Sequence, residues 1–456
     1  MRPTSSIPRT PGFGATILLL GVVACGDPAI DSRRPSHVEA TLSEDIETVV
    51  KLAWQTQEPT RGYVEYGTTP EFGLRTPLEA DATSAHDALL LGLPQETLIY
   101  YRVVSWDGDS AGASESGRIE TGRIPGGIPE MEVEGDGHSE FVLVPVLGNT
   151  SAVTIINPAG DIVWYHTEDR DLDFYRARLS LDGTSVIYNA ASVSGDPAED
   201  SELVKVALDG SETTSIPVPL LAHDFVEFRD GDQTVLAAIV VEYRDVDGNE
   251  IRGDKIVEID AEGEQKTVFS VWDCFDPAVD QGDSGEQGWT FANALDYDSG
   301  EDAYYLGLRN FSSIVKVSRA TGECEWVLGT TASSFDFASG SARFLHQHQF
   351  QVRGDRILVM DNDGALETES RVLEYELDVE AGVATQVWSY VADPSVYTFV
   401  LGEPQRFSDG STFINWSAAG QLERLDENDE RVWKLNTRAG YVFGFHQLAD
   451  TLYAEP

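Results

Sequence analysis

The chain has 456 residues, with 78 Asp and Glu against 31 Lys and Arg and a formal net charge of −47. That length exceeds one ordinary core and leaves room for two or three units, or for a repeat architecture with an accessory domain. So acidic a chain argues against nucleic acid and anionic membrane surfaces as partners, since binding phosphates takes clustered Lys and Arg; the charge reads as a solubility device suited to saline surroundings.

In chain order, Arg2 and Arg9 supply a positive leader, Gly14 to Val23 an apolar stretch, and Val22-Val23-Ala24-Cys25 a small-residue cleavage site. Residues 1–24 therefore read as a signal peptide resembling those of bacterial lipoproteins, with Cys25 as the lipidated first residue of the mature chain. The expectation is an exported protein, lipid-anchored at the bacterial envelope on its periplasmic or outer-membrane face, touching the membrane through that lipid only. Residues 25–36 are polar, contain Pro28 and Pro35, and read as a tether.

Residues 37–124 change to short alternating strands, such as VVKLAWQT, RGYVEYGTT and LIYYRVVSWD, separated by turns. That pattern predicts a β-sandwich, and the order of its elements resembles a fibronectin type III domain. Ile99 stands where that family carries its corner tyrosine.

From Pro125 to the end one phrase recurs: apolar strand, DG or GD turn, apolar strand, a third strand such as IVEID, then a turn and a strand bearing Trp. The marker residues are Trp164, Trp272, Trp326, Trp388 and Trp433, and a copy without Trp, LVKVALDGSETTSIPV, fills the double gap after Trp164. Six four-stranded units predict an all-β chain whose residues 125–456 form a six-bladed β-propeller, because a lone blade cannot bury both its faces and a closed ring can. With no amphipathic helical stretch between the strands, a parallel α/β fold is not expected.

Propeller chemistry sits at the central channel, where the first strand of each blade or the loop before it projects inward. In that register His223 opens the third blade, Asn293 the fourth, Gln347 and His348 the fifth, and Gln405 and Arg406 the sixth, while Arg309 ends the second strand of the fourth. A channel histidine can also be structural, and Arg309 can tie carboxylates together.

These residues lie in strings that resemble the bacterial arylsulfotransferases: HDF with its DG turn, NALDYD through LRNFSSIVKV to GECEWVLG, the QH pair before DND, SRVLEYELD, and GEPQRFSDGSTFINW. The resemblance covers the whole propeller. It implies transfer of a sulfuryl group from an aryl sulfate to a phenolic acceptor through a sulfohistidine, with no cofactor, no metal and no nucleotide donor. It further implies His348 as nucleophile, His223 as supporting histidine and Arg309 as the oxyanion-binding arginine. The family's second supporting histidine stands two residues before the Asn of the NALDYD motif; here that position is Phe291. His346, two residues from His348, is a candidate to compensate, and Asn293 a candidate support.

The rival reading is a propeller that binds an aromatic or sulfated ligand, or a protein partner, without turnover. A quinone-dependent propeller is disfavoured, since such proteins usually need more blades and a metal site. Cys274 and Cys324, each two residues from a Trp, form a disulfide in an exported protein or remain buried thiols. DVDGNE, Asp245 to Glu250, has alternating oxygen ligands but lacks the distal Glu of a calcium loop, so a β-turn is expected. His37, His86, His138, His166 and His446 lack metal-ligand spacing, and the position of His446 suggests ring closure.

Overall fold

The structure, a computed structural model, describes residues 32–148, 150–167, 172–191, 198–260, 263–283, 288–363 and 369–454. The leader, Cys25 and most of the tether lie outside these residues. Apart from three single 3-10 turns, the regular structure of the described residues is all strand.

The N-terminal unit is organised by one long strand, Val50–Thr69. Its first part pairs with Ser36–Leu42 and Thr83–Leu90, and its second part with Phe72–Arg75 and Leu98–Trp106. Alternate residues along it are buried, Val50, Leu52 and Trp54 then Val64 and Tyr66, and these enclose a core with Ile99, Tyr101 and Val103. The period-2 pattern in the sequence thus has its ordinary cause: one face meets a core and the other meets water.

Six blades follow. Four-stranded sheets made of residues 173–217, 221–270 and 292–329 form blades 2, 3 and 4, and residues 350–390 carry the four strands of blade 5. Blades 1 and 6 close the ring from both chain ends. Met131–Gly135 adds the outer strand of blade 6 against Arg431–Thr437, and Val442–Phe443 with Gln447–Ala449 supplies the inner edge of blade 1 against Phe141–Leu147. Neighbouring blades cover both faces of the second strands, so Ser185–Ala191 and Ala303–Leu308 are buried at every position. Trp164, Trp326, Trp388 and Trp433 lie on fourth strands, whereas Trp272 lies in the 3-10 turn Val271–Asp273 that follows its strand. The DVDGNE segment is the tip of a hairpin in blade 3, with Val246 opposite Asn249 and positive φ at Asp247 and Gly248, which suits a tight two-residue turn. A disulfide joins Cys274, just after blade 3, to Cys324 at the start of the outer strand of blade 4.

The sandwich is docked on the propeller. Ile46, Val49 and Leu91 share a core with Trp164 and Leu208 of blades 1 and 2. The Thr48 hydroxyl donates to the Val163 carbonyl at 2.8 Å. Near the C-terminus, Tyr453 donates its hydroxyl to the Leu89 carbonyl (2.8 Å), accepts from the Leu91 amide (3.2 Å), and lies 2.8 Å from the Tyr66 hydroxyl.

Candidate active site

The inner strands do not run straight through the channel. Their pairing shifts between Phe174 and Ala177 in blade 2, between Leu221 and Phe225 in blade 3, and between Ala292 and Ala294 in blade 4. These irregularities lie at Tyr175 and Arg176, at Ala222 to Asp224, and at Asn293. A bulge re-aims side chains that a regular strand would divide between its two faces. Asn189 satisfies the backbone that the first two shifts release. Its Oδ1 accepts from the Tyr175 and Arg176 amides (3.1 and 2.7 Å), and its Nδ2 donates to the Ala222 and His223 carbonyls (3.0 and 2.9 Å).

Towards one end, the channel is crossed by a buried ionic bridge. Arg176 donates from Nε to Asp224 (2.9 Å) and from Nη1 and Nη2 to Glu403 (3.0 to 3.1 Å). Gln349 and the Leu295 amide also donate to Asp224, and the His446 amide donates to Glu403 (2.6 Å). Burial pushes the Glu403 carboxyl upward, but Arg176 and His446 outweigh it and hold the group down at about 2. This bridge joins all six blades, Leu295 contributing for blade 4. Beyond it lies a polar cavity of about 440 Å³ lined by Arg178, Asp296, Gln351 and Gln405 among others, so Gln405 faces away from the histidines.

On the other side of the bridge lie His223 and His348, which are 5% and 2% exposed. His348 precedes the inner strand Phe350–Arg353 of blade 5, and its Nδ1 lies 2.9 Å from Asn362 Oδ1. The Asn362 amide is oriented by its other end, since Nδ2 donates to the Thr398 and Leu401 carbonyls (2.8 and 2.9 Å). The oxygen can therefore only accept, Nδ1 must carry the proton, and the lone pair of the neutral ring lies at Nε2. Burial, followed by the charge of Arg309, pushes the His348 imidazole down to about 3. The ring is neutral at any ordinary pH.

His223 is flanked by the rings of Tyr175 and Phe291, with centroids at 5.3 and 5.0 Å, and its Nδ1 has no protein partner among the described residues. Burial first, and then the charges of His348, Arg252 and Arg309, hold it well below the usual imidazole range. Arg309 begins the 3-10 turn after Ala303–Leu308; its amide donates to the Phe291 carbonyl (3.1 Å) and its Nη1 to Asn310 Oδ1 (3.3 Å). Gly307, two residues earlier, lets the strands close up: a Cβ there would lie 3.1 to 3.2 Å from Ala294, Asn293 and Phe350. His223, His348 and Arg309 thus form one electrostatic cluster.

Asn293 is fully buried and donates to the Gln347 carbonyl at 2.7 Å, tying blade 4 to the segment that carries His348. His346 has a left-handed backbone, φ 49°, and both of its ring nitrogens meet carboxylates: Nδ1 pairs with Asp363, and Nε2 lies 2.8 Å from Asp283. Its bond to Asp363 raises its pKa. Asp363 also accepts from the Tyr397 hydroxyl (2.9 Å), and it acts on Arg309 as well. His346 therefore belongs to a charged ring around Arg309, with both nitrogens engaged. Two groups of the site had gone unassigned in the sequence. Asn362 lies within the quoted DND motif, where only its distant carbonyl partners reveal its role. Arg252 carried no motif at all.

What the cluster can do follows from its charges. A neutral imidazole with a free lone pair beside guanidinium groups in a buried site suits attack on an anionic ester whose negative oxygens the arginines stabilise. The family model described as arylsulfotransferase (ASST) matches residues 130–439. No curated protein matches the chain. Solved structures with similar chain paths include a streptogramin B lyase, at 10% identity, 68% of this chain, 98% of that chain and a TM-score of 0.38. Another is the β-propeller domain of Cps50 (Swd1) from Myceliophteria thermophila, at 11% identity, 67% of this chain, 89% of that chain and a TM-score of 0.38. The family match spans nearly the whole ring that builds the His348 cluster, and the chain belongs to the arylsulfotransferase family and is an aryl sulfate sulfotransferase.

Proposed function

We propose that the protein moves a sulfuryl group from an aryl sulfate to a phenol by double displacement at His348, with no nucleotide donor. The observation that carries this reading is the tautomer imposed by Asn362, which leaves the His348 Nε2 lone pair unprotonated in a buried site beside Arg309. Nε2 attacks sulfur, the bond from sulfur to the aryl oxygen breaks, and the phenol leaves as its anion. The imidazole keeps its Nδ1 proton, so the intermediate is an N-sulfonated imidazolium whose positive charge leans on Asn362 Oδ1. That charge makes the ring a good leaving group when the oxygen of the acceptor phenol attacks sulfur in turn: the N–S bond breaks, its electron pair returns to Nε2, and the acceptor's proton passes to the phenolate expelled in the first step. Arg309 holds the sulfuryl oxygens throughout, and the buried ionic bridge at Arg176 seals the channel behind them.

The purified protein, incubated with 4-nitrophenyl sulfate and a phenol acceptor, is expected to release 4-nitrophenol, and His348→Ala is expected to abolish that release. Equal release from both proteins would refute the nucleophile. One observation favours the second reading, a binding protein without turnover: Phe291 supplies no donor where the family has a histidine. Binding of the ester without release from either protein would establish that reading.

We further propose that the protein is exported and anchored by a lipid on Cys25, supported by the leader in residues 1–24. Metabolic labelling with a fatty-acid analogue should mark the wild type and not Cys25→Ala.

A further inference from the structure

We propose that the polar cavity behind the Arg176 bridge is a second ligand site, which takes an α-amino acid with a polar side chain, its carboxylate on Arg178 and its ammonium on Asp296. The inner strands build this cavity by their period of two. Arg176, Gln349 and Glu403 belong to the bridge, and two residues further along the same chain segments stand Arg178, Gln351 and Gln405. Asp296 lies on the inner strand of blade 4, Ala292–Asp298. These four side chains line about 440 Å³ on the side of the bridge away from His348.

The fold does not use up their polar atoms. Arg178 donates from Nε to the Phe225 carbonyl at 2.9 Å, and its two terminal nitrogens have no partner among the described residues. One oxygen of Asp296 accepts from the Tyr297 amide (2.9 Å), and the other meets no donor among the described residues. Gln351 Oε1 accepts from the Arg406 amide (2.8 Å), which leaves its Nε2, and the Gln405 side chain has no partner among the described residues. All four residues are half-buried and open to the cavity rather than sealed in the interior. Arg178 and Asp296 come from blades 2 and 4, with blade 3 between them. They form no ion pair with each other among the described residues, yet the charge of each acts on the other. Burial raises the pKa of the Asp296 carboxyl, and Arg178 is the foremost charge opposing that rise. A cavity with a guanidinium at one wall and a carboxylate at another selects by charge pattern. A plain anion meets Asp296 as well as Arg178, and a metal cation meets Arg178. A zwitterion satisfies both walls at once, its carboxylate matching the planar fork of the guanidinium. Arg176 and Glu403, engaged with each other, form the floor, and the amides of Gln351 and Gln405 suit a side chain bearing a hydroxyl or an amide.

Calorimetric titration of the full protein with L-glutamine and L-serine tests the site without relying on turnover at His348. At least one of them is expected to bind, and its amide and its N-acetyl derivative, which lack the carboxylate and the ammonium, are each expected to bind at least about ten-fold more weakly. Arg178→Gln should abolish the preference for the amino acid over its amide, and Asp296→Asn the preference over the N-acetyl derivative. No binding of either amino acid up to about 10 mM, or equal affinity for the derivatives, overturns the proposal. If Arg178→Gln melts early through loss of its bond to Phe225, Asp296→Asn decides alone: a lost preference supports the site, and an unchanged one overturns it. Binding by a protein that releases no phenol from 4-nitrophenyl sulfate supports this site while the transferase reading fails.

Discussion

The neutrality of His348 can be measured as a flat pH profile. An ordinary imidazole titrates near 6.5, whereas burial and Arg309 hold this one at about 3. At pH 4.5 an ordinary histidine keeps roughly one neutral ring in a hundred, while His348 would stay almost wholly neutral. Single-turnover release of 4-nitrophenol from 4-nitrophenyl sulfate, measured by rapid quench from pH 8 to pH 4.5, should therefore change by less than about two-fold. A ten-fold fall per pH unit below about 6.5 would show instead that the nucleophile titrates as an ordinary imidazole. The same depression has a signature in stability. The unfolded chain binds a proton that folded His348 refuses, so this stabilising contribution is complete above about 6.5 and is lost as pH falls towards 3. Its full size is on the order of 5 kcal/mol, and it is absent from His348→Ala. Urea unfolding at pH 7 and pH 4 should thus show the wild type losing more stability than the variant. Equal losses would place the proton on His348 in both states.

Three further outcomes follow from single contacts. Asn362→Asp keeps an acceptor at His348 Nδ1 but sets an anion beside the ring, so the pH profile of phenol release should break at a higher pH than in the wild type; an unchanged profile would remove Asn362 from tautomer control. Arg176→Met leaves Asp224 and Glu403 buried without their cation, which should destabilise the protein by about 3 to 5 kcal/mol in urea melts; a loss under about 1 kcal/mol would show that the bridge does not seal the channel. Replacing Cys274 and Cys324 by Ala opens a cross-link spanning 50 residues, with an expected loss of about 4 kcal/mol by chain-entropy reckoning; melts unchanged by reductant would contradict it.

The blade count was legible because each fourth strand faces outward and carries its own punctuation, a turn and in most blades a Trp. Alternation alone would have missed the second strands, since Ser185–Ala191 is covered on both faces and has no polar side to alternate with. Trp272 fitted the repeat in sequence yet sits one step beyond its strand, in a 3-10 turn. Ring closure was legible at His446, whereas the matching contribution of Met131–Gly135 to blade 6 is a pairing between residues about 300 apart that no local pattern encodes. His223, Arg309 and His348 were picked out by the order of their motifs, and the fold sets their charges acting on one another. Asn362 was visible only as a letter in DND, because its orientation depends on the carbonyls of Thr398 and Leu401. Arg252 was invisible: YRDVDGNEIRGD has the composition of a solvated turn, yet its guanidinium carbon lies 5.5 Å from the centroid of the Phe291 ring that also meets His223.

The most direct measurement of the central claim is trapping of the intermediate. Protein mixed with excess 4-nitrophenyl sulfate, without acceptor, is quenched at alkaline pH, digested, and mapped by mass spectrometry. Double displacement at His348 predicts one peptide heavier by a single SO₃ group, with fragmentation placing it on His348, and loss of the adduct when phenol is added before the quench. An adduct on His223 or His346, or phenol release with no adduct on any histidine, would contradict it.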